Sequence, residues 1–402
     1  MSRGYDTPGG SYTDQPMFSS VLNREGSAHS GSAHGGHLDD HTNASSQSAS
    51  ASVMGITKLL PRILLMGLRR SGKSSIFNVV FNKMSPHGTL YLESTSKVDK
   101  HHVQNSCVID LMLWDFPGST EVDELAAFQT FEPAGALLFV IDAQDEYQGA
   151  ISRLVSTIDR AFKINRGLFF EVFIHKVDGV SEDRKLELQR DISHQVTSAL
   201  YDSGLEEANI AFYLSSIYDH SVNENVSKVV QKLLPQLGML ENLLDILISN
   251  CRMEKAFLFD VVTKLYIATD SQPVDVESFE LCSDMIDVVV DVSCIYGHGE
   301  DSEGLPFDEN SSSIIKLNNG RVLCLREVSK YLALVCLMRE DNLELQGLIE
   351  YNIHTFKQAL KDLVRAPSQA TQTRTPRMSL ASVDSPMNSY QLRNELRRGA
   401  PS

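Results

Sequence analysis

The sequence predicts two folded domains of different class between two tails: an α/β domain on a doubly wound, mostly parallel sheet, then a smaller α+β domain. Residues 58–240 alternate apolar runs of strand length with amphipathic segments of helix length, the order that builds parallel sheets. Residues 241–365 change to the order β-β-α-β-β-β-α, which implies an antiparallel sheet with helices against it. Residues 1–57 and 366–402 are rich in small and polar residues. Such segments bury too little apolar surface to offset their ordering entropy, so both tails are predicted to be disordered.

The first domain's strands fall at Ile63–Met66, Val108–Trp114, Ala136–Ile141, Phe169–His175 and Ile210–Leu214. Ala136–Ile141 is apolar throughout, as suits a central strand covered on both faces. Val108–Trp114 is mixed and reads as an edge strand. Helical periodicity covers Ile76–Lys83, Tyr147–Ile164 and Arg184–Ser203. In the second domain, strands are expected at Lys255–Val262, Lys264–Ala268, Ser313–Leu317, Arg321–Glu327 and Tyr331–Met338. Asn318-Asn319-Gly320 makes a hairpin turn between the third and fourth. Helices are expected at Val276–Tyr296 and Leu345–Val364. Leu281, Met285, Val288, Val292 and Ile295 form a stripe along the first of these, and Cys282, Ile286, Val289 and Val290 lie off it. A helix apolar on two sides needs two covers: its own sheet, and either a neighbouring helix or a partner chain.

Composition narrows the function classes. The chain has 402 residues, 42% hydrophobic and 22% charged, as in globular proteins that bury real cores. A net charge of −16 argues against nucleic acid as a partner, which calls for a basic surface. The six cysteines include no C-x-x-C pair and no ligand spacing, so free thiols in a reducing compartment are expected and a zinc site is not. No apolar segment resembles a signal peptide or approaches membrane-spanning length, Ser2 cannot be myristoylated, and no prenylation box closes the chain. A cytoplasmic protein without direct membrane insertion is expected.

The chemistry concentrates at strand ends. Ile63–Met66 runs into Gly67-x-x-x-x-Gly72-Lys73-Ser74 and then into a helical pattern, the strand–loop–helix context of a phosphate-binding P-loop. Gly67 and Gly72 keep side-chain bulk away from a polyphosphate, and successive backbone N–H groups with the helix N-terminus supply positive potential. Arg70, Ser71 and Ser75 complete the loop's nucleotide contacts. Lys73 reaches the β- and γ-phosphates, and the Ser74 hydroxyl ligates Mg²⁺. Asp115-Phe116-Pro117-Gly118 follows the second strand: Asp115 can hold Mg²⁺ through water, and the Gly118 N–H can meet the γ-phosphate. His175-Lys176-Val177-Asp178 ends another strand. Asp178 can accept two hydrogen bonds from guanine N1–H and its 2-amino group, a pair adenine lacks, while the Lys176 stem covers a face of the base. Ser216 and Ile217 would address the guanine oxygen through backbone N–H groups. In the loop after the first helix, Thr95 rather than Thr89 is expected to close over Mg²⁺. Together these segments point to a P-loop GTPase domain.

Gly67–Ser74, Trp114–Gly118, His175–Asp178 and Ser216–Asp219 resemble the Rag family of Ras-related small GTPases, in which His at position 175 is typical. Pro61–Ser75, Val140–Gln144, Phe173–Gly179 and Ala256–Cys294 are similar to its RagC/RagD branch. The resemblance covers residues 58–365 and implies a C-terminal roadblock- or longin-like domain at 241–365. It implies a heterodimer with a RagA/RagB-type chain, joined through those domains and tethered to the lysosomal surface by the Ragulator scaffold. It further implies recruitment of the target-of-rapamycin kinase complex through Raptor when this chain holds GDP, with the folliculin complex as activating partner. One position departs from the pattern. Small GTPases place Gln directly after D-x-x-G to orient the attacking water; this chain has Ser119. Of the catalytic set Lys73, Thr95 and Ser119, the last is too short for that task, so slow intrinsic hydrolysis is expected.

Overall fold

The structure, a computed structural model, describes residues 60–120, 130–296, 307–308 and 310–365. Both predicted disordered tails, and most of the stretch after Ser119, lie outside the described residues.

The first sheet has the order β2-β3-β1-β4-β5-β6. Its strands are β1 (Arg62–Gly67), β2 (Asp99–Gln104), β3 (Asp110–Asp115), β4 (Ala134–Asp142), β5 (Phe169–His175) and β6 (Asn209–Ser215). All pairs are parallel except β2 with β3. The strand order reverses at β1, which opens a crevice beyond its carboxyl end. Alternate β1 and β4 residues face opposite layers. Ile63, Leu65, Leu138 and Val140 pack with α1 (Lys73–Val80) and α4 (Ser221–Leu233). Leu64, Met66, Phe139 and Ile141 pack with α2 (Gln148–Ile164) and α3 (Glu182–Asp202). Each such Leu or Ile contributes roughly 1.5–3 kcal/mol by leaving water.

One strand assignment is corrected. The segment after Val108 is not an edge: β3 lies between β1 and β2, and β2 is the edge. Its mixed look comes from an aspartate at each end. Asp110 meets His102 of β2, and Asp115 belongs to the crevice. β2 itself, Asp-Lys-His-His-Val-Gln, buries only Val103, so no apolar pattern announces it.

The second sheet is antiparallel throughout, in the order β8-β7-β11-β10-β9. Its strands are β7 (Lys255–Asp260), β8 (Leu265–Thr269), β9 (Ser312–Lys316), β10 (Arg321–Ser329) and β11 (Leu332–Arg339). Helices α5 (Leu237–Cys251) and α7 (Gln346–Arg365) cover one face, and α6 (Val276–Tyr296) the other. α5 crosses residue 240, where the sequence changes character.

α6 turns its off-stripe residues inward. Phe279, Cys282, Ile286 and Val289 pack on the sheet with Met285, whereas Val288, Val292 and Ile295 are 50%, 50% and 69% exposed. Among the described residues no neighbouring helix covers them, which removes one of the two covers the sequence allowed.

One seam between the domains runs along α4. On α4, Asn223, Ser227 and Gln231 stand one turn apart on one face. Asn223 Nδ2 donates to Thr263 O, Ser227 Oγ accepts from Tyr266 N–H, and Gln231 Nε2 donates to Tyr266 O. The first domain thereby satisfies the free edge of β8, a row of backbone groups that would otherwise template further strands.

Candidate nucleotide site

Strand register lines up the motifs. Leu65 pairs with Asp115, Gly67 with Val140, Asp142 with His175, and His175 with Ser215. The carboxyl ends of five strands thus form one row beneath a cleft of about 650 Å³. Arg70, Gly72, Lys73, Ser74, Ser75 and Gly118 line it on the phosphate-loop side, and His175, Lys176, Asp178 and Ile217 on the other, with Thr89 and Thr95 on the loop between.

The loop's geometry demands its glycines. Gly67 has φ +139, and a Cβ there would stand 2.3 Å from Val140 O. Gly72 has φ +103, and its Cβ would stand 2.5 Å from His175 Cδ2. Arg70 also takes a left-handed φ of 61, which turns the chain back on itself. Ser71 is buried inside the turn. A Cβ on Gly118 would meet Arg69 N at 2.3 Å, so the D-x-x-G backbone lies directly on the phosphate loop.

Lys73 Nζ donates to Gly67 O and Leu68 O at 3.1 and 2.8 Å. Burial lowers its pKa to about 8; Asp115 opposes the shift and Arg153 adds to it. Ser74 Oγ donates to Asp115 Oδ2 and lies 2.8 Å from Thr95 Oγ1. Burial pushes the Asp115 carboxyl upward, against hydrogen bonding from Ser74 and the charge of Lys73. Among the described residues its buried Oδ1 has no hydrogen-bond partner. Two hydroxyls and an under-coordinated carboxylate are oxygen donors suited to a small divalent cation that also keeps phosphate and water ligands, so Ser74, Thr95 and Asp115 fit Mg²⁺. Thr89 is apart from them: its hydroxyl donates to Pro86 O at 2.7 Å.

At the other end, Ser216 Oγ donates to Asp178 Oδ1 at 2.7 Å, fixing the carboxylate. The Ser216 amide donates to Ser221 Oγ at 2.9 Å, so the hydroxyl rather than the amide of Ser216 serves the cleft. Lys176, at φ 64, donates from Nζ to Arg70 O at 2.7 Å and to Asp142 Oδ2, tying the two ends together. His175 Nδ1 lies 2.9 Å from Ser215 Oγ, and burial holds its pKa down to about 4. It is a neutral ring packed under Gly72. Ser119 is exposed and does not line the cleft.

Arg69, Glu93, Gln144 and Tyr218 also line the cleft. Gln144 was within reach of the sequence: it closely follows the apolar run Ala136–Ile141, and its Nε2 donates to Lys176 O at 2.8 Å. Arg69 and Tyr218 lie inside the motifs Gly67–Ser74 and Ser216–Asp219 at positions that were not singled out, and Glu93 sits in a loop without a pattern.

The conserved-region profile of the Gtr1/RagA G proteins matches residues 62–286. Ras-related GTP-binding protein D of Mus musculus is 56% identical over 328 residues, 80% of this chain and 73% of the relative. Ras-related GTP-binding protein C of Homo sapiens is 58% identical over 305 residues, covering 75% and 76%. GTP-binding protein gtr2 of Schizosaccharomyces pombe is 52% identical over 311 residues, covering 75% and 97%.

Proposed function

Because the chain belongs to the Gtr1/RagA family of G proteins, in its RagC/RagD branch, we propose that it is a GTP-hydrolysing switch whose cleft selects guanine through Asp178 and holds the phosphates over Lys73. The carrying observation is the pairing of a Ser216-anchored carboxylate at one end of the cleft with the Lys73 cradle at the other. Ser74, Thr95 and Asp115 would hold Mg²⁺, which supplies charge neutralisation at the β- and γ-phosphates. Lys73 neutralises the same oxygens, and the backbone of Gly118 offers its N–H to the terminal phosphate. Gly118 lies on the phosphate loop, so a γ-phosphate entering there displaces the D-x-x-G turn and the segment behind it. Occupancy is thereby converted into shape.

The partner set follows from the family. An edge at β9 that no strand pairs among the described residues, and the exposed α6 residues Val288, Val292 and Ile295, support association through the second domain with a RagA/RagB-type chain. In that assembly Ragulator holds the pair at the lysosomal surface, Raptor of the target-of-rapamycin complex reads the nucleotide state, and the folliculin complex accelerates hydrolysis. Among the described residues no helix is long and apolar enough to cross a membrane, which supports attachment through such a scaffold.

A second possibility, a nucleotide-loaded scaffold with negligible turnover, is favoured by one observation: Ser119 is short and points to solvent. Single-turnover phosphate release by the purified heterodimer, with and without its activating complex, separates the two. The switch predicts slow release that the activator accelerates; no acceleration supports the scaffold.

A further inference from the structure

Granting the guanine-nucleotide assignment above, we infer that Gln144, braced by Asp142, is a positioning residue for base selection: the pair holds the turn Lys176–Gly179 so that Asp178 meets both guanine donors at once. The pair sits where β4 ends beside β5. Asp142 stands opposite His175 in the strand register, and one step on the Ala143 N–H still donates to His175 O at 2.8 Å. The ladder thus runs past the last strand residue and brings Asp142 and Gln144, which flank Ala143, within reach of Lys176. Asp142 uses both oxygens: Oδ1 accepts from the Gln144 N–H at 2.9 Å, and Oδ2 accepts from Lys176 Nζ. Gln144 Nε2 donates to Lys176 O at 2.8 Å. Lys176 is therefore gripped at its ammonium and at its carbonyl, and the same ammonium reaches Arg70 O on the phosphate loop.

Two observations show why the turn needs this grip. Lys176 has φ 64, a left-handed conformation that a residue with a Cβ keeps only where its surroundings hold it. Asp178 follows two residues later, within the single 3-10 turn Val177–Gly179, so relaxation at Lys176 carries the carboxylate with it. Gly179, which ends that turn, packs on the Gln144 amide: a Cβ there would stand 2.4 Å from Nε2 and 2.7 Å from Cδ. Glycine at 179 is what lets the amide approach the turn. Ser216 Oγ holds the Asp178 side chain from the β6 end, and the Asp142–Gln144 pair holds its backbone from the β4 end. A carboxylate held from one end alone still finds one donor of a base, but it loses the alignment that serves two in parallel. Gln144 lines the cleft, yet its Nε2 is committed to Lys176 O, so it acts through the turn.

The test uses the full-length protein in magnesium buffer with GDP and inosine diphosphate, whose base lacks the 2-amino group and offers Asp178 a single donor. The ratio of the two dissociation constants reports the second hydrogen bond. In Q144A the preference for GDP should shrink about fivefold, because GDP loses that bond and inosine diphosphate has none to lose. G179A should shrink it too, by pushing the Gln144 amide off the turn, and should add nothing in the Q144A background, where no amide remains to be pushed. A Q144A ratio within about twofold of wild type overturns the inference, whether both affinities stay put or both fall together. A G179A effect as large in Q144A as in wild type also overturns it. Should Q144A not fold, D142N, which removes the charge gripping Lys176, decides by the same ratio. Wild-type protein that binds neither nucleotide, or both alike, overturns the guanine assignment itself, and the inference falls with it.

Discussion

Asp178 and Lys73 are ordinary side chains made selective by their surroundings. Ser216 fixes Asp178, so its carboxylate meets a base without reorganising. Asp178→Asn exchanges a charged acceptor pair for a mixed donor and acceptor. GDP affinity should fall about 10- to 100-fold, measured by calorimetric titration, because a hydrogen bond to a charged group contributes roughly 1.5–3 kcal/mol. Lys73 makes a pH prediction. Burial lowers its pKa to about 8, and a bound polyphosphate restores it toward the usual lysine range. Binding therefore takes up a proton above about pH 8, and affinity should be flat below that value and fall above it. Affinity that rises from pH 8 to 9.5 would contradict this. His175, neutral down to about pH 4, adds no step between pH 5 and 7. The motif residues were legible because phosphate and guanine each demand fixed residue types at fixed spacing. Asp142, which holds Lys176 in place, was not, because a carboxylate at a strand end has many uses.

Elements show where periodicity sufficed. β5 spans Phe169–His175 and α6 spans Val276–Tyr296, the ranges their apolar patterns predict. β2 escaped because an edge strand that buries one residue has no alternation to detect. The face that α6 buries was left open by the stripe, since a helix apolar on both sides has two stripes and only the sheet decides between them. Val292→Asp should therefore leave the fold's melting temperature within a few degrees yet abolish co-purification with a second chain. Retained co-purification would place the interface elsewhere. The seam of α4 on β8 makes a different prediction. Ser227→Ala leaves the Tyr266 N–H without its acceptor, so denaturant unfolding should show a loss of about 1 kcal/mol, up to about 3 if water does not reach the group.

For the whole molecule, one strip of chain joins the two halves: the base-reading loop ends in Ser221, which caps it through the Ser216 amide and opens α4, and α4 docks on the second sheet. The class of both domains could be read from the sequence, because alternating helices and strands and an antiparallel run each leave few compact solutions; the order within the first sheet could not, since β2 carries no apolar pattern and β3 looks like an edge. The seam could not, since Asn223, Ser227 and Gln231 are polar residues whose partners are backbone groups about 35 to 40 positions away. At this scale turnover also becomes a property of the assembly. Ser119→Gln should raise single-turnover GTP hydrolysis if reach to the water limits the intrinsic rate, and an unchanged or lower rate would count against that limit. Selection of guanine remains the central claim, and competition binding tests it most directly. Full-length protein carrying a fluorescent GDP in magnesium buffer should release it to GTP, while ATP should be weaker by at least about a thousandfold, because adenine leaves the Asp178 carboxylate unpaired. Displacement by ATP at concentrations comparable to GTP would contradict the account.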